Sequence, residues 1–143
     1  TVEEMVSYLD KITNESSDFS AGVDGDKLYL SDSNNSFTFN TPKDKFYLSF
    51  SPYIERTHPC KTHNLVTCQG ELVNKTVSVV ITDKNGNMIV DDNFTTMDNG
   101  FIGIWLPKNI TVNITVSYQG LSASNEITTY SSSNTCLTTL KLS

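Results

Sequence analysis

This sequence contains no apolar run long enough to cross a membrane, and it has few residues of the kind that bind nucleic acids. A membrane-spanning helix needs about 18 or more consecutive apolar residues, and polar residues interrupt every apolar stretch of this 143-residue chain. It has 10 Lys and Arg against 16 Asp and Glu, a net charge of −6. Proteins that bind nucleic acids neutralise phosphates with basic residues. Nucleic acid and anionic membrane surfaces are therefore not expected partners, whereas cations are favoured.

Proline, cysteine and histidine are also scarce, with 4, 3 and 2 copies in the chain. A hydrophobic content of 37% and a charged content of 18% are typical of a globular protein. A chain of this length buries about two thirds of its unfolded surface when it folds. It can therefore form one stable domain without disulfides.

The first residues predict the one convincing helix. Over residues 2–12 the apolar side chains recur at the spacing of a single helical face. Glu3 and Glu4 lie in the first turn, where the helix dipole favours acidic groups. The polar residues that follow predict a connector. We therefore divide the chain into an N-terminal helix and connector, 1–26, and a β-domain, 27–143.

From residue 27 onward the pattern is that of β-strands. The run 110–118 alternates strictly between apolar and polar residues, which indicates a strand with one buried face. Asn85 and Gly86 both tolerate positive φ and predict a type I′ hairpin turn. Strands are predicted at 27–31, 36–40, 45–51, 71–82, 87–96, 100–106, 110–118, 121–130 and 135–142. Short strands with regular turns indicate a mainly β fold, an antiparallel β-sandwich with a short N-terminal helix.

One long segment between the predicted strands, residues 52–70, differs from the rest, and we call it the site loop. It contains both histidines, His58 and His63, and two of the three cysteines, Cys60 and Cys68. A long loop inside a compact domain is often functional. The site loop is therefore the first place to look for chemistry.

The third cysteine, Cys136, lies at the start of the last predicted strand. It has the same strand parity as Leu140 and Leu142, two residues expected to face the core. Cys136 is therefore predicted to point inward at the end of the sandwich, where the site loop could cover it.

The cysteines allow two interpretations that their spacing leaves open. One is a structural disulfide with a spare thiol, although an odd cysteine is exposed to oxidation in an exported protein. The other is a site for a soft metal, because thiolate sulfur favours Cu(I). His58 and His63 are either solvated loop residues or the source of an auxiliary nitrogen ligand when the metal arrives as Cu(II). A zinc site of two Cys and two His fits the loop spacings poorly and leaves Cys136 unused.

Other chemistry has little support in the sequence. The run Asp83-x-Asn85-x-Asn87 lacks the later Gly and Glu of a calcium loop, and a hairpin turn explains it. We find no hydrolytic triad, nucleophile elbow or phosphate-binding loop. No catalytic residues are therefore predicted.

Four segments resemble the CueP family of bacterial periplasmic copper-binding proteins. They are FYLSFSPYIERTHPC (46–60), TCQGEL (67–72), MDNGFIGIWLP (97–107) and TCLTTLKL (135–142). The cysteines stand in the order and spacing of that family. The resemblance implies an extracytoplasmic protein, not an enzyme, that binds Cu(I) or Cu(II) through Cys60, Cys68 and Cys136.

The resemblance further implies a role in copper tolerance and in copper delivery to exported enzymes such as copper-zinc superoxide dismutase. It also implies some capacity to reduce Cu(II) through the thiols. Two alternatives stand beside it: a thiol-based Cu(II) reductase, and a metal-free immunoglobulin-like interaction module with a Cys60–Cys68 disulfide. The Lys- and Asn-rich composition is typical of low-GC bacteria, some of which lack a periplasm. There the protein would be a lipoprotein on the outer face of the cell membrane, and a lipid anchor is the only membrane link that we expect.

Overall fold

The computed structural model describes residues 1–11, 20–65 and 68–143, in which β-structure predominates. In these residues one helix, α1 (Val2–Lys11), precedes eleven strands. The strands are β1 (Ser20–Val23), β2 (Lys27–Ser31), β3 (Ser36–Asn40), β4 (Lys45–Phe50), β5 (His63–Asn64), β6 (Thr76–Asp83), β7 (Met88–Thr95), β8 (Ile102–Pro107), β9 (Thr111–Tyr118), β10 (Leu121–Thr128) and β11 (Cys136–Leu137). The predicted β class and N-terminal helix are confirmed. Residue 12, the predicted last residue of the helix, lies outside the described residues.

The strands form three sheets, with the orders β3-β2-β1-β5, β10-β9-β6-β7 and β11-β4-β8. In the described part of the chain, β11 runs parallel to β4 and the other strand pairs are antiparallel. None of the described helices is long and apolar enough to cross a bilayer.

The main core lies between the β10-β9-β6-β7 sheet and the β11-β4-β8 sheet. The alternation of β9 shows why these sheets pack, because Val112, Ile114 and Val116 are buried while Asn113 is exposed. Burial of one such side chain stabilises the fold by about 1.5–3 kcal/mol. The buried residues of this core are Phe46, Leu48, Phe50, Leu72, Val77, Val79, Ile81, Ile102, Ile104, Leu106, Val112, Ile114, Val116, Leu140 and Leu142.

A second, smaller core forms on the opposite face of β4. Tyr47 projects from that face and packs with Val6 of α1, Ala21 and Val23 of β1, and Leu28 of β2. Five consecutive residues of β4 are therefore buried, because the strand has a core on each side. The N-terminal helix is thus packed onto the sheet that carries Cys136.

β1 lies within the segment predicted to be a connector. It pairs with β2 across the predicted division at residue 26, and also with β5 in the site loop. Its four residues, Ser-Ala-Gly-Val, are too few and too small to produce a clear hydrophobic alternation. β5 has two residues and was missed for the same reason.

The turn between β6 and β7 differs from the type I′ prediction. Gly86 has a positive φ of 82°, but Asn85 is not among the described residues with positive φ. Asp83 Oδ1 accepts the Asn85 N–H at 2.9 Å, and this side-chain hydrogen bond organises the turn. Two positive φ values in sequence occur instead at Gln119 (49°) and Gly120 (79°), which join β9 to β10.

The predicted last strand, 135–142, is regular for two residues only. Its backbone still follows β4, since Ser51 N–H donates to Leu137 O and Tyr53 N–H donates to Leu140 O. Between these two bonds the C-terminal segment has one residue more than its partner, which interrupts the ladder. Cys136 is buried, as predicted, but not for the predicted reason. It lies opposite Ser49, whereas Leu137 lies opposite Phe50 and packs against the main core with Leu140 and Leu142. The extra residue therefore reverses the parity between Cys136 and the two leucines.

Candidate metal centre

Four side chains that could hold a metal ion converge beside β11. They are Cys60, His63, Cys68 and Cys136, and their possible ligand atoms lie within 4.8 Å of one another. His63 and Cys136 are buried, and the other two are half-buried. The structure therefore brings together the three predicted cysteines and one of the two predicted histidines.

Backbone hydrogen bonds hold Cys136 against the site loop. The N–H groups of Thr135 and Cys136 both donate to Lys61 O, at 3.0 and 3.3 Å. Thr135 Oγ1 accepts the His63 N–H at 3.0 Å. These contacts do not involve sulfur, so the fold itself places Cys136 next to Cys60. The site loop therefore covers Cys136, as the sequence predicted.

Two of the three cysteines are oxidised in the structure. A disulfide joins Cys60 to Cys136, and Cys68 is a free thiol. The Cys68 sulfur lies 3.5 Å from the Cys60 sulfur. The Cys60–Cys68 pairing of the metal-free alternative is therefore wrong. The spacing of the cysteines left the pairing open, and the meeting of the loop with β11 decides the partner.

Cys68 is held at the cluster by hydrogen bonds with Asn64. Its N–H donates to Asn64 O at 3.1 Å, and its sulfur accepts the Asn64 N–H at 3.4 Å. Because Asn64 follows His63 in β5, these bonds place the thiol beside the other ligand atoms.

His63 is held from the opposite side by a buried carboxylate. Its Nε2 lies 2.7 Å from Asp10 Oδ1, and both side chains are fully buried. Its other ring nitrogen, Nδ1, is buried and makes no hydrogen bond of normal geometry. Since Asp10 occupies Nε2, Nδ1 is the nitrogen that remains available to a metal ion.

Asp10 has further partners from two other parts of the fold. Tyr47 donates its hydroxyl to Asp10 Oδ2, and burial followed by the charge of Asp10 raises the pKa of Tyr47 above its usual range. Asn99 donates to Oδ1 and to the backbone oxygen of Asp10, at 3.2 and 2.7 Å. Sequence reasoning missed all three residues. One signal was present, since Asp10 continues the i, i+4 row of Val2 and Val6 on the buried side of the helix.

The ring of His63 is the positive partner of this carboxylate. Burial lowers the pKa of His63, but the hydrogen bond with Asp10 and the nearby Cys68 raise it, and the resulting pKa is about 9. The ring therefore carries a proton at neutral pH in the metal-free chain. A metal ion at Nδ1 would take the place of that proton.

The second histidine lies elsewhere. His58 is half-buried with its ring centroid 6.3 Å from that of Phe101, and it is not part of the described cluster. His63 also contacts Phe101, at 4.9 Å. Both histidines lie near Cys60 in sequence, so spacing could not decide between them.

A cavity of about 480 Å³ opens beside the Cys60–Cys136 pair. Its walls include Glu126 and Ile127 of β10 and Leu137 of β11. Cys60 and Cys136 also line it, so a molecule in this cavity would lie next to the disulfide.

Glu71 organises the first residues of the site loop, and this yields a testable prediction. Its carboxylate accepts the N–H groups of Ile54, Glu55 and Arg56. The Ile54 N–H contributes most to a pKa below the usual 4.5, and burial opposes it. The ionised form therefore stabilises the fold above pH 4.5, and this stabilisation is lost as the pH falls through the lowered pKa.

Glu71→Gln is expected to reduce the free energy of unfolding by about 1 kcal/mol at pH 7, since charged hydrogen bonds are lost. It should also reduce the loss of stability on acidification. Urea unfolding of both proteins at pH 7 and pH 3 measures this. If both proteins lost the same free energy of unfolding between pH 7 and pH 3, the ionised Glu71 carboxylate would not be the stabilising group.

A small β-protein in which three cysteine sulfurs and one buried imidazole converge belongs to the class of soft-metal-binding proteins. The chain belongs to the CueP family, whose model, described as periplasmic copper-binding protein CueP, matches residues 4–141. A crystal structure described as S.CueP matches with a TM-score of 0.95 and 44% sequence identity, over 100% of this chain and 89% of that chain. Comparison with curated proteins found no match. The predicted family and the extracytoplasmic location are confirmed.

Proposed function

We propose that the reduced chain captures one Cu(I) ion through the sulfurs of Cys60, Cys68 and Cys136, and that His63 supplies an auxiliary nitrogen ligand when the metal arrives as Cu(II). The observation that carries this proposal is the convergence of these four groups in a member of a periplasmic copper-binding family. Thiolate is the ligand that Cu(I) prefers. His58 has no role in it, since it lies outside the cluster.

Copper is held for transfer rather than for permanent storage. Cys60 and Cys68 are half-buried, and the cavity reaches the Cys60–Cys136 pair. An incoming ligand can therefore attack the bound ion, and copper can pass by ligand exchange. We assign to the protein copper tolerance and delivery to an exported cuproenzyme, such as copper-zinc superoxide dismutase.

Reduced protein is expected to bind one Cu(I) per chain in a mainly sulfur environment. Oxidised protein should bind far more weakly, because the Cys60–Cys136 disulfide removes two of the three thiolates. Anaerobic mass spectrometry gives the stoichiometry, and X-ray absorption identifies the ligand atoms. A copper shell of oxygen and nitrogen alone would contradict the proposal.

A second candidate function is the reduction of Cu(II), and the disulfide is the observation that favours it. Two thiols, Cys60 and Cys136, would each give one electron to a Cu(II) ion. The products are two Cu(I) ions, one disulfide and two protons. Cys68 stays a thiol 3.5 Å from Cys60 and can hold a product ion.

Anaerobic addition of Cu(II) to the reduced protein tests this candidate. We expect two Cu(I) ions, detected with a Cu(I)-specific chelator, for each Cys60–Cys136 disulfide found by peptide mapping. Cys136→Ser cannot form this disulfide, and it should not produce the two Cu(I) ions that accompany disulfide formation. A chain that keeps three free thiols after Cu(II) addition is not a reductase. The metal-free interaction module would share the disulfide but not its Cys60–Cys68 pairing, and it gives no role to the buried His63 in the cluster.

A further inference from the structure

We propose that Asp10 is a positioning residue that directs Nδ1 of His63 at the sulfur cluster, and so supplies the fourth ligand that a divalent ion such as Zn²⁺ or Co²⁺ needs there. Cu(I) is held by the three sulfurs, so its affinity depends little on Asp10. The inference rests on the proposed function, since it concerns the same site. It makes Asp10 a determinant of which metals the reduced chain binds.

The orientation of the His63 ring carries the first step. Asp10 Oδ1 lies 2.7 Å from Nε2 and fixes which ring nitrogen faces away from α1. The remaining nitrogen, Nδ1, is buried without a nitrogen or oxygen partner, which is rare for a buried polar atom in a folded protein. The polar group that acts on the ring besides Asp10 is the thiol of Cys68. His63 belongs to a group whose ligand atoms lie within 4.8 Å of one another. A metal ion held by the sulfurs can therefore bind this nitrogen in place of the Cys68 contact.

The placement of Asp10 itself is the second step. A fully buried carboxylate loses its hydration, and this one lies at the C-terminal end of α1, where the helix dipole disfavours negative charge. Hydrogen bonds from Tyr47, Asn99 and His63 compensate, and they come from three separate parts of the fold. Of these three partners only His63 belongs to the group that could hold a metal ion. The carboxylate therefore links the helix to a candidate ligand.

The chemistry of the ions is the third step. Metal-bound histidines commonly donate their other ring N–H to a carboxylate, which orients the ring and strengthens the donor. Zn²⁺ takes four Cys or His ligands in a tetrahedron, and three cysteines with one histidine complete that set. Soft Cu(I) is satisfied by thiolates. The carboxylate should therefore matter for divalent ions and not for Cu(I).

The test compares Co²⁺, Zn²⁺ and Cu(I) binding by reduced, anaerobic protein carrying Asp10→Asn. We expect Zn²⁺ and Co²⁺ affinity to fall roughly 10- to 100-fold, with a changed Co²⁺ ligand-field spectrum. Cu(I) affinity should stay within about threefold, because thiolates suffice for it. Glu3→Gln, a half-exposed carboxylate of the same helix, is the control and should change nothing.

A double-mutant cycle separates positioning from general destabilisation. In a His63→Gln background, Asp10→Asn should have no further effect on Co²⁺ affinity, because its target is gone. If Asp10→Asn does not fold, Tyr47→Phe removes one donor to the carboxylate and should weaken Co²⁺ binding in the same direction.

Equal losses of Cu(I) and Co²⁺ affinity in Asp10→Asn, or an unchanged Co²⁺ spectrum, would overturn the inference. An effect of Asp10→Asn that persists in the His63→Gln background would do the same. A wild-type chain that fails to bind Cu(I) but shows the Asp10-dependent Co²⁺ site would overturn the proposed function and support this inference.

Discussion

Replacing any one of the three cysteines by serine is expected to weaken Cu(I) binding by roughly 100-fold or more. Loss of a group that only hydrogen-bonds to a metal ligand commonly costs about 10- to 100-fold in affinity, and loss of the ligand itself should cost at least as much. Serine nearly preserves the size of the side chain but offers a hard oxygen in place of a soft sulfur. The three sulfurs lie in one cluster, so each loss leaves two. Cys136 should matter as much as Cys60 and Cys68, although it is far from them in sequence.

Competition with a Cu(I)-specific chelator, under anaerobic reducing conditions, measures these affinities. Affinity should also fall as the pH drops, because protons compete for the thiolates. His58→Ala is the control and should change affinity by less than about twofold, as a substitution outside the cluster. If Cys136→Ser bound Cu(I) as tightly as the parent, with the same pH dependence, the site would reduce to the loop cysteines.

Gly100→Ala is expected to lower the free energy of unfolding by about 2–4 kcal/mol, from positive-φ strain together with overpacking. The φ of Gly100 is 77°, and a Cβ there would lie 2.6 Å from the Gly70 backbone oxygen. Backbone cannot move aside as a flexible side chain can. The contact joins the site loop to the turn that carries Asn99, since Gly70 N–H donates to Asn99 O at 2.6 Å.

Gly86→Ala is the matched control for this substitution. Its φ is 82°, but a Cβ at Gly86 would meet no atom within 4 Å. Gly86→Ala should therefore lower the free energy of unfolding only by the strain of a positive φ, about 1–2 kcal/mol. Urea unfolding of the oxidised, metal-free proteins gives both values. Equal losses at the two glycines would show that the approach of Gly100 to Gly70 does not limit stability.

Local patterns predicted most of the strands. The alternation of β9 and the apolar positions of β4 and β8 arise from neighbours along the chain, so they are visible in sequence. β1 and β5 are too short for such a pattern, and they form because β1 pairs with β5 on one side and with β2 on the other. The type I′ prediction at Asn85 was wrong because the side chain of Asp83 organises that turn.

The sequence by itself determined the β class, the N-terminal helix and the family, because each depends on residue order alone. The tertiary structure decided the rest of the site. It paired Cys60 with Cys136 across 76 residues, selected His63 over His58, and brought Asp10 of the helix to the ring of His63. These contacts join segments that are distant in the chain. Their physical cause is the packing of α1 and of residues 63–65 of the site loop against the same face of β4, which no local pattern encodes.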